Sequence, residues 1–545
     1  MNDLLNPNHL YDEIVLSGNQ VDNFWGEVPN TFENVIKLAK KRIPSNQRTE
    51  GAKDKLQILK SFLKKFHVDM GISSDKVINN IDNLDNGSIL MGQQPIIFGG
   101  PGFIGNKFGC LIFLDNLAHQ HDLSLSPVYF VGDYDGLQKE LTRTYYPNPT
   151  SHNAVIIESG EFLSEESNIA VHAAKLPPSS WLLEELQNLE KNLRSFKKQI
   201  KGQTKFLFEE RWNHISTLLK TSFLHSTTLS EWATKIWGIL ANVLNDFGIV
   251  FLPTSHPEVR KLVAPEFHRF IKNRELYAST FQKTMKQMQD MGYKPSLPHR
   301  HNNYSPFTLE CEGDETRVTT EINLRDNEIW AEGKCPCCDK AFSIKVTTVA
   351  DLDKIATKIG PRVDTSQAIF QDLMNIQIRI SGPGEIAYYT QAVPALKAIG
   401  FNVPIFVKYK RAFYNTDFNE KLGSMLHSRK QPSLHQPTLF EILRKRFNAI
   451  KEESSEGVIE AEIEMKLFIN NQYDSLQSHK QSMDIQKYLG WQFGKFDQFK
   501  FGQEVSWSWI DLALQTGPKD YINTYCRMYH KHSLVGSLYY INTSI

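Results

Sequence analysis

The sequence predicts an α/β protein with a parallel sheet at its core, a small β-rich insertion and a helical region toward the C-terminus. Three observations carry that prediction. Apolar, strand-like runs alternate with helical spacing from residue 88 onward, two of those runs end in glycine turns, and a polar β-rich stretch holding most of the cysteines interrupts the alternation.

At 545 residues and 41% hydrophobic, the chain exceeds what one core can fill, so several packed units are expected. Lys+Arg 61 against Asp+Glu 61 leaves it formally neutral, without the global basic field of a dedicated nucleic-acid binder. The start, MNDLLNPNHLYDE, lacks the basic and apolar regions of a signal peptide, and no run approaches the roughly 18 apolar residues of a membrane span. Six cysteines, three of them in CPCC, fit a reducing compartment better than a disulfide framework. A cytoplasmic protein with small-molecule partners, and neither membrane nor nucleic acid, is the expectation.

Residues 1–85 read as the N-terminal helical part of the core, since FENVIKLAKKRI and KLQILKSFLKKF place apolar residues three and four apart. Residues 86–270 read as the core itself. SILMGQQPIIF is apolar and glycine-bounded, KFGCLIFLDNLAHQ has helical spacing, and SPVYFVGDYDG is a β-rich run ending at a turn. In such a βαβ unit the loops after both strands share one edge, so the 92–107 loop is expected to face GDYDG. WLLEELQNLEKNLRSF is helical and GIVFLPTS is a further buried strand. Residues 271–350 form the β-rich insertion, where TRVTTEINL and EIWAEG flank Arg325, Asp326 and Asn327 as a hairpin. Residues 351–410 return to the core sheet, running strand, glycine turn, helix and strand. Residues 411–515 read as helical and coiled-coil-like, with an interrupted heptad pattern, and 516–545 as a tail packing on the core.

Gly100-Pro101-Gly102-Phe103-Ile104-Gly105 spells the G-x-G-x-x-G of a dinucleotide-binding turn, with Asp133 at the next strand's end as the matching acid. An NAD(P)-dependent oxidoreductase is one reading. Against it, Pro101 has no N–H to offer a pyrophosphate. A broader reading takes Gly92, Gln93, Gln94, Gly100, Pro101, Asn106 and Lys107 as an anion cradle: glycines allow close approach, the amides donate and accept, and Lys107 opens a helix. The alternative is a tight structural turn with a surface lysine. Asp133 and Asp135, two apart after a strand, could share a cleft and bind an amine or Mg2+, or could form a solvated turn. Gly382, Gly384, Glu385 and Tyr388 follow the alternating QIRIS, so they too belong at a strand's carboxyl edge. Glu385 there would cap its helix or hold an α-amino group, with Tyr388 walling the pocket.

Met91-Gly92-Gln93-Gln94, then Gly100-Pro101 with Lys107, the VYFVG strand, Gly292-Tyr293-Lys294-Pro295 and Ser381-Gly382-Pro383-Gly384-Glu385-Ile386 with Tyr388 together resemble the bacillithiol cysteine-adding family (BshC) in order and spacing. The resemblance covers nearly the whole chain. It implies a Rossmann-like core related to class I aminoacyl-tRNA synthetases, inserted connective segments and a helical region that pairs subunits into a homodimer. It also implies a ligase that joins L-cysteine to the amine of glucosaminyl malate. ATP would be the activating substrate, with Lys107 and Lys408 as candidate phosphate partners; no P-loop is present. Lys107, Asp133 and Asp135 are the candidate catalytic residues.

The chain departs from the family pattern in three places. Asp133-Tyr134-Asp135-Gly136 stands where typical members carry a Glu-Asp-His-Asp-like string. Ile104-Gly105-Asn106-Lys107 lacks a threonine hydroxyl, and Gln367, ahead of Gln371-Asp372, stands for an arginine. A non-catalytic protein that binds a nucleotide or metabolite is therefore a second reading.

Cys335-Pro336-Cys337-Cys338 contains C-P-x-C, a knuckle whose first and last thiolates can grip one zinc, and Cys311 lies across the predicted hairpin. A closed structural zinc site would use these three with Cys337, His299 or His301; the alternatives are reduced cysteines, or an open zinc that captures a substrate thiol. His119, His121 and His256 lack paired metal-ligand spacing and read as ordinary.

Overall fold

The structure is a computed structural model that describes residues 6–17, 24–43, 50–146, 155–163, 168–198, 202–416, 503–531, 534–536 and 538–543, with isolated positions between 442 and 471. Five buried strands form the core sheet: β1 (Ser88–Gln93), β2 (Ser126–Val131), β3 (Val250–Pro253), β4 (Ile376–Ser381) and β5 (Ile405–Lys408). Their order is β5-β4-β1-β2-β3, and every neighbouring pair is parallel. Helices cover both faces, so Leu90, Val128, Phe251, Ile378 and Val407 are all inaccessible. The strands therefore read as continuous apolar runs rather than alternating ones.

Helix α1 (Phe103–Gln120) carries the chain from β1 back to β2, and α2 (Pro383–Ala398) carries it from β4 to β5. The chain winds outward through β1, β2 and β3, then returns to lay β4 on the other side of β1. That reversal creates a switch point between β1 and β4, where the loops after both strands leave the same edge. The pairing of Gln93 with Val131 puts the loop after β2 at this edge as well, and the Gly132 N–H donates to the Gln93 carbonyl at 2.9 Å. The predicted juxtaposition of the 92–107 loop with GDYDG is thus present.

Helix α1 is buried along nearly its whole length because it lies between the sheet and the helix Tyr521–Tyr529. Gly105 and Gly109 allow that approach. A Cβ on Gly109 would fall 2.5 Å from the Tyr525 Cβ, and one on Gly105 would collide with the Tyr521 ring. The helix Tyr521–Tyr529 of the predicted tail accordingly packs on the core.

A second, antiparallel sheet has the strand order 359–361, 304–310, 317–325, 328–334, 341–345. Arg325 pairs with Glu328 across a two-residue turn in which Asp326 and Asn327 both adopt positive φ, 49° and 65°. These residue types tolerate that conformation, and the predicted hairpin forms there. The sheet extends past residue 350, since Ile359–Pro361 pairs with Phe307–Leu309. Arg411–Thr416, expected to be helical, is instead a strand paired in parallel with Leu538–Thr543. Its aromatic pair Phe413-Tyr414 and Thr416 suit a strand better than a helix. Most of the predicted coiled-coil region, and the subunit pairing expected of it, lie outside the described residues.

Candidate functional site

At the switch point the two glycine turns meet through charge. Lys107, in the first turns of α1, is 2% exposed. Its ammonium donates to the Gly92 carbonyl at 2.8 Å, to Gln93 Oε1 at 3.2 Å and to Glu385 Oε2 at 2.6 Å. Gln93 closes β1 and Glu385 lies in the first turn of α2, so one side chain spans both turns.

Glu385 also caps its helix, accepting from the Gly382 N–H at 2.8 Å, and its other oxygen accepts from Arg379 at 3.2 Å. The capping explanation therefore holds, and two ion pairs are added to it. Burial would raise the Glu385 carboxyl, but Lys107 and Arg379 outweigh it and hold the group below the ordinary carboxylate range. Burial lowers Lys107 from the ordinary lysine value, with Glu385 opposing. Among these three groups, two cations face one carboxylate.

Arg379 is a buried cation that sequence reasoning passed over. It stands on β4, 4% exposed, and donates to Gln367 Oε1 at 2.8 Å. Gln367 in turn donates to Gln371 at 2.9 Å. Gln367, where the resemblance implies an arginine, thus touches Arg379 instead. The one signal available was a charged residue in QIRIS, a run otherwise built for a fully buried strand. Arg379 Nε and the Ser381 Oγ are both buried without a hydrogen-bond partner in the structure, and Tyr388 stands at the edge of the cluster, its ring 4.6 Å from that of Tyr389. Above Gly384, a Cβ would meet nothing within 4 Å.

Gln94 extends the cluster toward the loop after β2, since its amide donates to Asp135 Oδ2 at 3.0 Å. Burial raises the Asp135 carboxyl, with Arg317 of the second sheet opposing. Asp133 leads elsewhere. Its carboxylate accepts from the Ser230 hydroxyl at 2.7 Å and from the Thr254 hydroxyl and Ser255 N–H at 3.0 Å each. It ties the loops after β2 and β3 to the helix Leu229–Gly238, rather than forming a solvated turn.

The remaining candidates are engaged by other partners. Lys408, at the end of β5, has its ammonium 2.7 Å from Asp12. Asn106 donates to the Lys410 carbonyl at 2.6 Å and to Glu504 at 2.8 Å, and accepts from the Tyr529 hydroxyl at 2.6 Å. Gly100 and Pro101 lie beneath tryptophans. Trp237 donates to the Gly99 carbonyl at 3.0 Å, Trp509 to the Phe98 carbonyl at 2.7 Å, and the Gly102 N–H is taken by the Trp507 carbonyl at 2.9 Å. The start of α1 is therefore covered by protein, and the dinucleotide reading finds no helix terminus open to a pyrophosphate there. The G-x-G-x-x-G spelling instead records close packing at Gly100 and Gly105, where a Cβ would fall 2.9 Å from the Ile96 side chain and collide with the Tyr521 hydroxyl.

A separate cluster lies at one end of the second sheet. One donor atom from each of Cys311, Asp314, Cys335 and Cys338 lies within 4.8 Å of the others. Three of these are the predicted cysteines. The fourth is Asp314, not Cys337, His299 or His301. Cys337 is exposed and contributes its backbone N–H to Cys335 Sγ at 3.4 Å. The missed signal was spacing: Cys311-x-x-Asp314 repeats the interval of Cys335-x-x-Cys338 with an oxygen in place of the last sulfur. Of the three histidines read as ordinary, His119 and His121 lie near single carboxylates, Asp115 and Glu33, and His256 caps its own helix.

Comparison with known proteins places these features. The family model described as "Bacillithiol biosynthesis BshC, N-terminal Rossmann-like domain" matches residues 4–410. A protein of Desulforamulus reducens named "Putative cysteine ligase BshC" is 24% identical over 375 residues, covering 67% of this chain and 62% of that protein. Proteins of the same name from Staphylococcus epidermidis and Staphylococcus aureus are 21% and 22% identical, covering 77% and 74% of this chain and 72% and 69% of their own lengths. The chain thus spans less than two thirds of the first of these relatives. No described helix is long and apolar enough to cross a membrane.

Proposed function

Because the chain belongs to the bacillithiol biosynthesis BshC family, we propose that it is an amide-forming ligase that joins L-cysteine, or another amino acid, to the amine of an amino-sugar acceptor such as glucosaminyl malate. The observation that carries this reading is the Lys107–Glu385–Arg379 cluster at the switch point of a parallel sheet. Ligands of open α/β sheets bind at such a point. A zwitterionic amino acid placed there exchanges two ion pairs for three: its carboxylate meets Lys107 and Arg379, and its ammonium meets Glu385. The net charge of the cluster is unchanged by the exchange, which keeps the cost of opening a buried pair low.

Amide formation requires an activated carboxylate, an uncharged acceptor amine and donors aimed at the developing charge. ATP is proposed as the activating substrate on family kinship. Its phosphates are not assigned to the covered start of α1, and Lys408 is already engaged by Asp12. Lys107 and Arg379 are the donors placed to orient the carboxylate, while Asp135, held by Gln94 with a raised affinity for protons, is the group suited to accept one from the amine.

A thermal-shift screen followed by a turnover assay tests the reading. Stabilisation by L-cysteine or ATP, and a product heavier than the acceptor by a cysteinyl group, are expected. Stabilisation by nucleotide without turnover would favour the second reading, a binding protein that keeps the fold but not the chemistry, which the glutamine at position 367 and the shortened acidic string at 133–136 make worth testing.

A further inference from the structure

We propose that Cys311, Asp314, Cys335 and Cys338 bind one zinc ion in a closed tetrahedral site that clips together two loops of the second sheet. Cys311 and Asp314 belong to the loop joining strand 304–310 to strand 317–325, and Cys335 and Cys338 to the loop joining 328–334 to 341–345. The two loops are not neighbours in sequence, yet all four donor atoms fall within 4.8 Å of one another.

The spacings match the metal. Spokes of about 2.3 Å to sulfur and 2.0 Å to oxygen at tetrahedral angles put ligand atoms roughly 3.5–3.8 Å apart. The Cys311 and Cys338 sulfurs are 3.5 Å apart, and Cys335 Sγ lies 3.5 and 3.7 Å from the Asp314 oxygens. The backbone also prepares a thiolate. The N–H groups of Cys337 and Cys338 both point at Cys335 Sγ, at 3.4 and 3.5 Å, and the knuckle closes through Asp339, at φ 62°, with its N–H on the Cys335 carbonyl at 3.1 Å. Asp314 is oriented by the Thr316 N–H, which donates to its Oδ1 at 3.0 Å, as metal-bound carboxylates usually are held. Three soft thiolates with one carboxylate in tetrahedral array select zinc over magnesium or calcium. Four protein donors leave no open position, so the ion is structural and does not capture a substrate thiol.

The clip also bears on the candidate site. Thr316 pairs with Ile169, and Arg317, the next residue, faces Asp135. The metal loop therefore sets the register of a second-sheet cation directed at the Gln94–Asp135 end of the cluster. The zinc proposal itself does not depend on the ligase reading.

Elemental analysis of the full chain, purified without a polyhistidine tag, tests it. About one zinc per chain is expected. Cobalt-substituted wild-type protein should show the ligand-field and thiolate charge-transfer bands of tetrahedral coordination, a readout that needs no variant. Asp314→Asn, which keeps the shape and the acceptor for Thr316, should release zinc to a chromogenic chelator at least about tenfold faster, the level at which even outer hydrogen-bond losses are felt. Asp314→Cys should restore retention. Folded wild-type protein without metal, protein holding iron instead, a Cys311–Cys338 disulfide, or Asp314→Asn that holds zinc as tightly as wild type would each overturn the assignment.

Discussion

Lys107 Nζ lies 2.6 Å from Glu385 Oε2, so a salt bridge joins residues 278 apart in sequence. Sheet topology makes the contact: β4 returns to the side of β1 opposite β2, and the turns that follow β1 and β4 emerge together. Neither turn alone would hold a charged molecule. Together they present two cations and one carboxylate around a partly accessible point.

Lys107→Ala removes one partner of a buried pair and leaves Glu385 facing only Arg379. Because Arg379 still compensates that carboxylate, the loss should stay below the roughly 3–5 kcal/mol typical of stranding a buried charge. The midpoint of denaturant unfolding should fall, and Glu385→Leu, which strands both Lys107 and Arg379, should lower it further. Glu385→Leu should also lose its affinity for amino acid. Equal stability of Lys107→Ala and wild type would mean that the pair is not formed in solution.

Gly384→Ala separates binding from folding. The position has negative φ and open space above it, so helix stability should be unchanged or slightly improved. If substrate occupies that space, affinity for L-cysteine should drop by about tenfold or more, as expected from roughly 1.4 kcal/mol of steric loss. A calorimetric titration checks this beside a thermal melt, and unchanged affinity would place the ligand elsewhere.

Gly109→Ala should act in the opposite way. Its methyl group would meet the Tyr525 Cβ at 2.5 Å and force α1 away from the helix Tyr521–Tyr529. Overpacking of this kind costs roughly 1–3 kcal/mol. The same methyl on Gly51, in the helix Glu50–Asp69 where nothing lies within 4 Å, is the control and should leave the melting temperature unchanged or slightly raised.

His67 gives the fold an acid sensitivity. It is inaccessible, with Nδ1 2.7 Å from the Leu63 carbonyl and Nε2 accepting the Phe251 N–H at 2.9 Å, so it is neutral with its proton on Nδ1. Burial lowers it from 6.5 to about 4. Because the folded value is depressed, its contribution is fully present above about 6.5 and is lost as pH falls through 4, by about 3 kcal/mol at most. His67→Gln, which can still accept from Phe251, should melt lower at neutral pH yet change less than wild type between pH 6.5 and 4. Parallel melting curves across that range would exclude this role.

The α/β core was legible because its strands are apolar on both faces and its glycine turns are local. The 88–136 unit, the turn at Asp326-Asn327 and the cysteines at 311, 335 and 338 all declare themselves within a few residues. What escaped depends on long-range contact. Nothing near Gly100 foretells that Trp507 and Trp509 close over it, and nothing near Asp133 foretells Ser230 and Thr254 as its partners. Arg379 was hidden inside a strand that otherwise reads as core. Asp314 was missed because a carboxylate in a loop looks like a turn residue until a second x-x spaced pair is folded against it.

Isothermal titration of L-cysteine against wild-type protein, Lys107→Met and Glu385→Gln, with N-acetylcysteine and cysteine methyl ester as blocked analogues, tests the central claim most directly. Wild type should bind cysteine and bind both analogues more weakly. Lys107→Met should no longer distinguish cysteine from its ester, and Glu385→Gln should no longer distinguish it from the acetylated form. Folded variants that bind cysteine as tightly as wild type, with the same preference over both analogues, would contradict the account.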